Sequence, residues 1–431
     1  MASGASTSLF FASTRAITKG LSLIGDPIGI LETTDDLNRF SAKMRGKPVQ
    51  KSISGMLLSS DFAVCSEVLK SPNWRTQLES NTFFEKLYLG FTPDSDKIDP
   101  FLDSIISKDG IEHSRIRKLI QPAFTHRVMQ SWKDSAEKIT KELLDQIDGK
   151  SEIEFVSAIA NPLPLAMICE ILGVPLSDRD RFTAWGNTLA ITGLDLPQST
   201  KELEDYDAAS AELFAYITEL LETRRSNPAD DLLSVLAHAK SEGETLTERE
   251  IIATAVFLLI AGFETTVNLL SVGTLSLLEN RDELRKVSED HSLIPNLVEE
   301  ALRYVSPVQF TSRTSDIELE LSDGTKVRKG QSIVLMLSGA NRDPSIFPDP
   351  DSFDVNRENA RRNIAFGYGA HHCIGAQLAR LEAEIVWREL LKRYPAIEDW
   401  EQNGQAIRRR GKTLKGLEKL PMRLTKSGFG G

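Results

Sequence analysis

The chain has 431 residues, 41% of them hydrophobic and 26% charged, a composition that fits a soluble globular protein with a large core. Its net charge of −11 argues against nucleic acid as a partner, because a phosphate-binding surface needs clustered Lys and Arg. With only Cys65, Cys169 and Cys373, there is no disulfide framework, and a reducing compartment is expected. Length alone allows two or three domains. No repeat or linker divides the chain, so one mainly helical domain with small β-sheets is expected over residues 1–431.

The N-terminal residues 1–20 are rich in Ser, Thr and Ala, with Arg15 and Lys19, and loosely resemble a transit peptide. The apolar run Leu9–Ala12 is too short for an anchor. The preferred reading is a flexible or helical arm on a cytoplasmic protein. A polar amphipathic helix is expected from Asp35 to Lys47, a pair of short strands between Lys51 and Ser59, and a helix from Asp61. The stretch from Trp74 to Gly110 mixes Pro, Gly, Asp and aromatics and reads as a long, functional loop.

Helices follow at Ile111–Arg117, Trp132–Ile147 and Ala158–Leu172, the last closed by Gly173 and Pro175. Further helices are expected in Ser177–Leu194, Asp205–Arg225 and Asp230–Ala239. Thr247 and Glu250 form a capping box before an apolar run that reaches about Leu278. That run is long enough to span a bilayer. Glu264, Thr265, Thr266 and Asn268 stand at its centre, which favours a buried helix over a membrane span. Ile294–Tyr304 is the next helix. Period-two patterning then marks a hairpin from Ile317 to Val327 and a strand from Ser332 to Leu337, with a helical turn starting at Ala340. Residues 347–364 read as ordered coil, one more helix follows Gly375, and a polar strand region ends the chain.

The stretch Phe366–Gly375 places one cysteine in a glycine-rich loop just before a helix. Glycines let the backbone bend and approach a flat object. The sulfur sits near a helix N-terminus, which is expected to lower its pKa and hold a thiolate. The ordinary alternative is a small buried cysteine in a helix cap. A thiolate in a backbone cradle suits axial ligation of haem iron.

The whole pattern Phe-Gly-x-Gly-x-His-x-Cys-x-Gly resembles the haem-binding signature of the cytochrome P450 family. Other matches run in the same order: His113 to Arg117, Ala261 to Thr266, Glu300 to Arg303, Pro307-Val308 with Arg313, and Asn341 to Pro344. They are similar to the soluble bacterial class, its actinobacterial members included. The Asn280–Asp282 junction lacks a proline common in that class.

The resemblance implies a P450 fold, with haem b between a long central helix and the cysteine-loop helix. It implies Cys373 as iron ligand and His113, Arg117, Arg313 and His371 as propionate contacts. Phe366, Gly367 and Gly375 would shape the proximal face and Ala261 the distal one. Glu300, Arg303 and Arg357 would be structural. Glu264 and Thr265 would relay protons to bound dioxygen; a Thr hydroxyl bonded back to its own helix is the competing reading. An apolar substrate pocket would involve Ile105, Ile106, Phe257, Ile260, Val308, Gln309, Phe310 and Leu417. The expected activity is monooxygenation of an apolar small molecule by a monomer. No flavin or iron–sulfur motif is present, so ferredoxin and ferredoxin reductase are the expected electron donors. Arg115, Lys118, Arg127, Arg361, Arg362 and Arg380 are candidates for the surface that receives them. A peroxide-driven peroxygenase and a non-enzymatic haem sensor are the alternatives.

Overall fold

The computed structural model describes residues 4–76, 98–124, 126–194, 199–241, 244–399 and 406–426. Its axis is the helix Glu248–Glu279, opened by the expected capping box between Thr247 and Glu250. The helix is long and apolar enough to cross a membrane, yet 78% of its most apolar window is buried inside the fold, as in a core helix. Three helices press on it. Ile168 of Pro162–Leu172 faces Gly262, and Gly186 of Arg179–Leu194 faces Phe263. Trp387, on the helix Ala376–Arg393, donates from its indole nitrogen to Thr274 at 3.0 Å. A Cβ at Gly273 would lie 2.7 Å from that indole, so a glycine is needed where the two helices meet. Full burial of side chains such as Phe263, Leu259 and Trp387 contributes about 1.5–3 kcal/mol per large apolar group.

A mixed five-stranded sheet lies to one side. Its spatial order is Gln50–Lys51, Leu57–Ser59, Ser332–Leu335, Thr311–Ser315 and Trp74–Arg75. Leu57 pairs in parallel with Ile333, and Ile333 lies antiparallel to Arg313. This register fixes Arg313 on a strand that enters the fold. Phe62, Phe347 and Ile364 pack beneath the sheet as a second core. Near the C-terminus, Ile407–Arg408 and Leu417–Lys419 form a short hairpin against the central helix.

The expected elements appear with shifted ends. The N-terminal arm contains a helix, Gly4–Leu23. The helix expected from Ala158 begins at Pro162, after a wider turn over Val156–Ala160. It ends at Gly173, whose left-handed φ of 78° is relaxed only for glycine. The strand expected to reach Leu337 stops at Leu335, and the helical turn comes earlier, at Leu337–Ala340. Much of the Trp74–Gly110 loop lies outside the described residues.

Candidate active site

The cysteine loop is built from backbone. Gly367 and Gly369 both have positive φ, 66° and 70°. A Cβ at Gly369 would lie 2.4 Å from the Leu69 carbonyl oxygen, so the loop lies directly on the helix Phe62–Lys70. The Cys373 N–H donates to the Phe366 carbonyl at 3.0 Å and closes the turn. Arg117 braces it from outside, donating to the carbonyls of Ala370 (3.0 Å) and His372 (2.9 Å). Of the three cysteines, Cys65 and Cys169 are buried and Cys373 is exposed.

One sequence expectation changes here. Although the residue as a whole is exposed, neighbouring protein atoms desolvate the Cys373 thiol and push it up; the Gly375 N–H, Arg117 and Arg380 pull the other way without reversing it. Arg117, expected to face a carboxylate, donates one bond from each terminal nitrogen to a loop carbonyl.

The central helix opens one narrow stripe. Phe257, Ala261, Gly262 and Thr265 are partly exposed, while the residues around them are buried. A spacing of four puts 257, 261 and 265 on one face. The Thr265 hydroxyl donates to the Ala261 carbonyl at 2.7 Å, the local bond weighed above. Glu264 points elsewhere: it is 1% exposed and accepts from Arg409.

A third group collects polar side chains. Arg313 is buried, and among the described residues its guanidinium reaches the Thr311 hydroxyl (3.2 Å) and the Ser312 carbonyl (2.7 Å). Among the described residues no carboxylate bonds it. Burial drops it to about 10, with Asp109 opposing. The rings of His113 and His371 lie with centroids 4.1 Å apart, tilted by 45°. Burial, then His371 and Arg117, lower His113 to about 4. His371 meets Asp109 at 3.0 Å. Burial alone would raise the Asp109 carboxyl, but His371 and Thr76 hold it down at about 2.

The coil before the loop hangs on buried charge. Glu300 and Arg303 are fully buried and paired at 2.7 Å. Arg303 also donates to the carbonyls of Asn341, Pro350 and Ser352, and Arg357 adds bonds to Glu300, Pro348 and Asp349. Asn341 Oδ1 accepts from the Ile364 N–H at 2.7 Å, joining this lock to the loop.

These features fit a haem. Among the described residues no cluster of three or more His, Cys, Asp or Glu could hold a metal, so a single exposed cysteine suits a group that brings its own equatorial donors. A buried guanidinium without a carboxylate suits a group that carries anions. The family model "Cytochrome P450" matches residues 94–410.

The chain belongs to the cytochrome P450 family. With that membership come haem b as cofactor and monooxygenase activity. The chain is 38% identical over 332 residues to the polyketide biosynthesis cytochrome P450 PksS of Bacillus subtilis, covering 77% of this chain and 80% of that protein. It is 36% identical over 338 residues to the 6-deoxyerythronolide B hydroxylase of Saccharopolyspora erythraea, covering 78% and 81%. Among solved structures, P450BioI in complex with an acyl carrier protein carrying hexadec-9-enoic acid aligns with a TM-score of 0.81 and 32% identity, covering 92% of this chain and 98% of that one.

Other sequence candidates of this P450 divide by burial. Phe257, Val308 and Phe310 are partly exposed, and Ile106 is exposed. Ile260 and Leu417 are fully buried, and Ile105 nearly so. Gln309 is buried with its amide on the Val305 and Ser306 carbonyls, so it is not free to meet a ligand. Of the basic candidates, Arg115 pairs with Glu250 and Arg380 with Glu299 at 2.8 Å. Lys118, Arg361 and Arg362 are exposed; the Arg127 side chain lies outside the described residues.

Sequence reasoning missed Asp109 and Arg409. Asp109 stands where a helix cap is expected, but it makes no cap bond and turns to His371 and Thr76. Arg409 sits in the run Arg408-Arg409-Arg410, which reads as surface charge.

Proposed function

We propose that this P450 monooxygenates an apolar small molecule with a polyketide-like or acyl carbon chain, as a cytoplasmic bacterial monomer whose residues 1–431 form one haem domain. The observation that carries this reading is the exposed Cys373 in its backbone cradle. The names of the relatives support the substrate class. Electrons come from a separate ferredoxin and its reductase, for which the exposed Lys118, Arg361 and Arg362 offer positive charge.

When bound, thiolate-ligated haem supplies iron at which dioxygen is reduced for insertion into a C–H bond. Cys373 would be its ligand, with Phe366, Gly367 and Gly375 around it. Arg313, His113 and His371 would hold the propionates, with Asp109 orienting His371. Arg117 acts indirectly by fixing the carbonyls on either side of His371. Ala261 and Gly262 keep side-chain bulk off the distal face. Glu264 passes protons on towards the Thr265 hydroxyl. That hydroxyl turns from the Ala261 carbonyl to pass them on. Phe257, Val308 and Phe310 offer apolar surface to the substrate.

The test is the reduced, CO-bound spectrum of wild type and Cys373→Ala. The expected red-shifted Soret band is lost in the variant; a band that persists rejects the ligand assignment. Turnover with ferredoxin and NAD(P)H but not with peroxide alone is expected, and the reverse would make the enzyme a peroxygenase. Spin-shift titration with acyl and polyketide-like compounds tests the substrate class.

A further inference from the structure

The C-terminal hairpin carries a charged turn, Arg408-Arg409-Arg410-Gly411-Lys412, and three of its side chains reach three different elements. The Arg409 guanidinium donates to Glu264 on the central helix and, through Nε, to the Leu417 carbonyl at 3.3 Å. Arg410 Nη1 donates to Glu202 Oε1 at 3.0 Å, in the first turn of the helix Thr200–Ser226. Lys412 Nζ donates to the Leu31 carbonyl at 3.2 Å, on the helix Pro27–Thr33. Just beyond the turn, Leu414 bridges Val308, and the Gln309 N–H donates to the Thr413 carbonyl at 2.8 Å. The turn therefore borders the apolar surface assigned to substrate above.

The helix that Glu202 opens belongs to the layer over the central helix. It packs on the helix Arg179–Leu194, where Trp185 Nε1 donates to Glu212 at 3.0 Å and the Phe182 and Tyr216 rings meet edge to face at 5.0 Å. Gly186 of that second helix faces Phe263. The ion pairs of the turn differ in exposure. The Arg409 and Glu264 side chains are 14% and 2% exposed, those of Arg410 and Glu202 63% and 31%. A buried pair is costly to break, whereas an exposed one is worth little and is screened by salt. Arg410–Glu202 is therefore the joint that parts first.

We propose that the Arg410–Glu202 pair is a salt-sensitive latch on an entrance to the ligand side of the central helix. Closed, it ties the hairpin turn to the start of the helix Thr200–Ser226. Parted, it lets an apolar ligand pass between the two towards Val308 and Leu414. Arg409 and Lys412 hold the turn on the central helix and on Pro27–Thr33, so the movement falls on the helix Thr200–Ser226. Arg410 is a positioning residue and touches no reacting atom. This rests on the reading of the stripe Phe257–Ala261–Thr265 as the side that ligands reach.

The test mixes the haem-loaded enzyme in a stopped flow with 4-phenylimidazole, an apolar ligand that coordinates haem iron and shifts its Soret band, at a pH where the ligand is uncharged. The wild-type association rate is expected to rise about two- to fivefold from about 0.01 to 1 M ionic strength, the range over which the screening length falls from about 30 to 3 Å. Arg410→Gln and Glu202→Gln are each expected to show the fast rate at low salt and to lose the salt response. The double variant is expected to be no faster than either single one, the mark of two groups that act as a pair. Exchanging the charges, Arg410→Glu with Glu202→Arg, is expected to restore part of the slow, salt-sensitive entry. Carbon monoxide on the reduced enzyme is small and uncharged, and its rate is expected to stay the same in all of them.

Hydrogen exchange reads the same joint without a ligand. The Glu202 and Leu203 amides donate to the Ser199 hydroxyl (3.1 Å) and carbonyl (3.3 Å) in the first turn of the helix. They are expected to exchange several-fold faster in Arg410→Gln, while the thermal midpoint stays at the wild-type value because an exposed pair adds little to global stability. A wild-type association rate that ignores salt overturns the latch. So does a double variant whose gain is the product of the two single gains, or first-turn exchange that Arg410→Gln leaves unchanged. If 4-phenylimidazole gives no Soret shift in the wild type, the reading of the ligand side falls. If it binds and both single variants keep the wild-type rate and salt response, only the latch falls.

Discussion

Glu300 and Glu264 are both buried glutamates on helices, and their surroundings differ in completeness. Glu300 Oε1 accepts from Arg303, Arg357 and the Asp354 N–H, and Oε2 from both arginines. Glu264 has Arg409 on one oxygen and nothing on the other among the described residues. A satisfied network has one arrangement and holds a coil in place. An unsatisfied carboxyl can exchange protons, and it stands next in sequence to Thr265. Completeness therefore distinguishes these two glutamates where burial does not.

The sharpest way to break this comparison is at Glu300. Removing one partner leaves Arg303 and Arg357 buried without their carboxylate. Glu300→Ala is expected to destabilise by about 3–5 kcal/mol, read as a lower thermal midpoint with early loss of haem. Replacing Glu300 and Arg303 together by apolar residues of similar volume is expected to cost less than Glu300→Ala. A stable Glu300→Ala enzyme would show that the coil is held by other means, such as Asn341 on Ile364.

Much of this was readable in order along the chain. The capping box placed the start of the central helix, and three-residue spacing put Glu300 and Arg303 on one face. The glycine pattern around Cys373 described a tight loop closed by its own backbone bond, Cys373 N–H to the Phe366 carbonyl. What escaped was pairing across distance. Arg409 meets Glu264 across 145 residues of chain, and nothing local marks either as the other's partner. Asp109 meets His371 across 262 residues, hidden behind an ordinary cap position. The direction of the Cys373 shift escaped because packing density belongs to the tertiary structure.

Glu382 sharpens the comparison from another side. It is 2% exposed, its Oε2 has no partner among the described residues, and burial pushes its carboxyl up to about 8 from 4.5. Among the described residues no arginine bonds it as Arg409 bonds Glu264. A folded-state pKa above the unfolded one means that the stability from burying the neutral acid is complete below about 4.5 and lost as pH rises towards 8. The slope approaches about 1.4 kcal/mol per pH unit in that window. Glu382→Gln stays neutral, so it is expected to match wild type near pH 4 and to be the more stable protein above pH 8, on the order of a few kcal/mol. Denaturation midpoints across that range measure it. Parallel pH profiles would mean that the wild-type carboxyl finds solvation within the fold.

The smallest expected effect tests the working side directly. In the resting geometry the Thr265 hydroxyl is bonded to its own helix, and Glu264 faces Arg409. Neither bond joins the two residues, so a relay requires the hydroxyl to rotate and water to bridge. Thr265→Ala removes the rotating group and leaves the Glu264–Arg409 pair intact. Its thermal midpoint is expected to stay near wild type, because an intrahelical Thr bond adds little. Its product per NAD(P)H is expected to fall by about tenfold, a change of about 1.4 kcal/mol in the partition between product and released peroxide. Peroxide release measured beside product formation decides the point. A coupled Thr265→Ala enzyme would leave its hydroxyl as a helix-bonding group. Proton delivery would then depend on Glu264 and water alone, and the contrast with Glu300 would narrow to a single side chain.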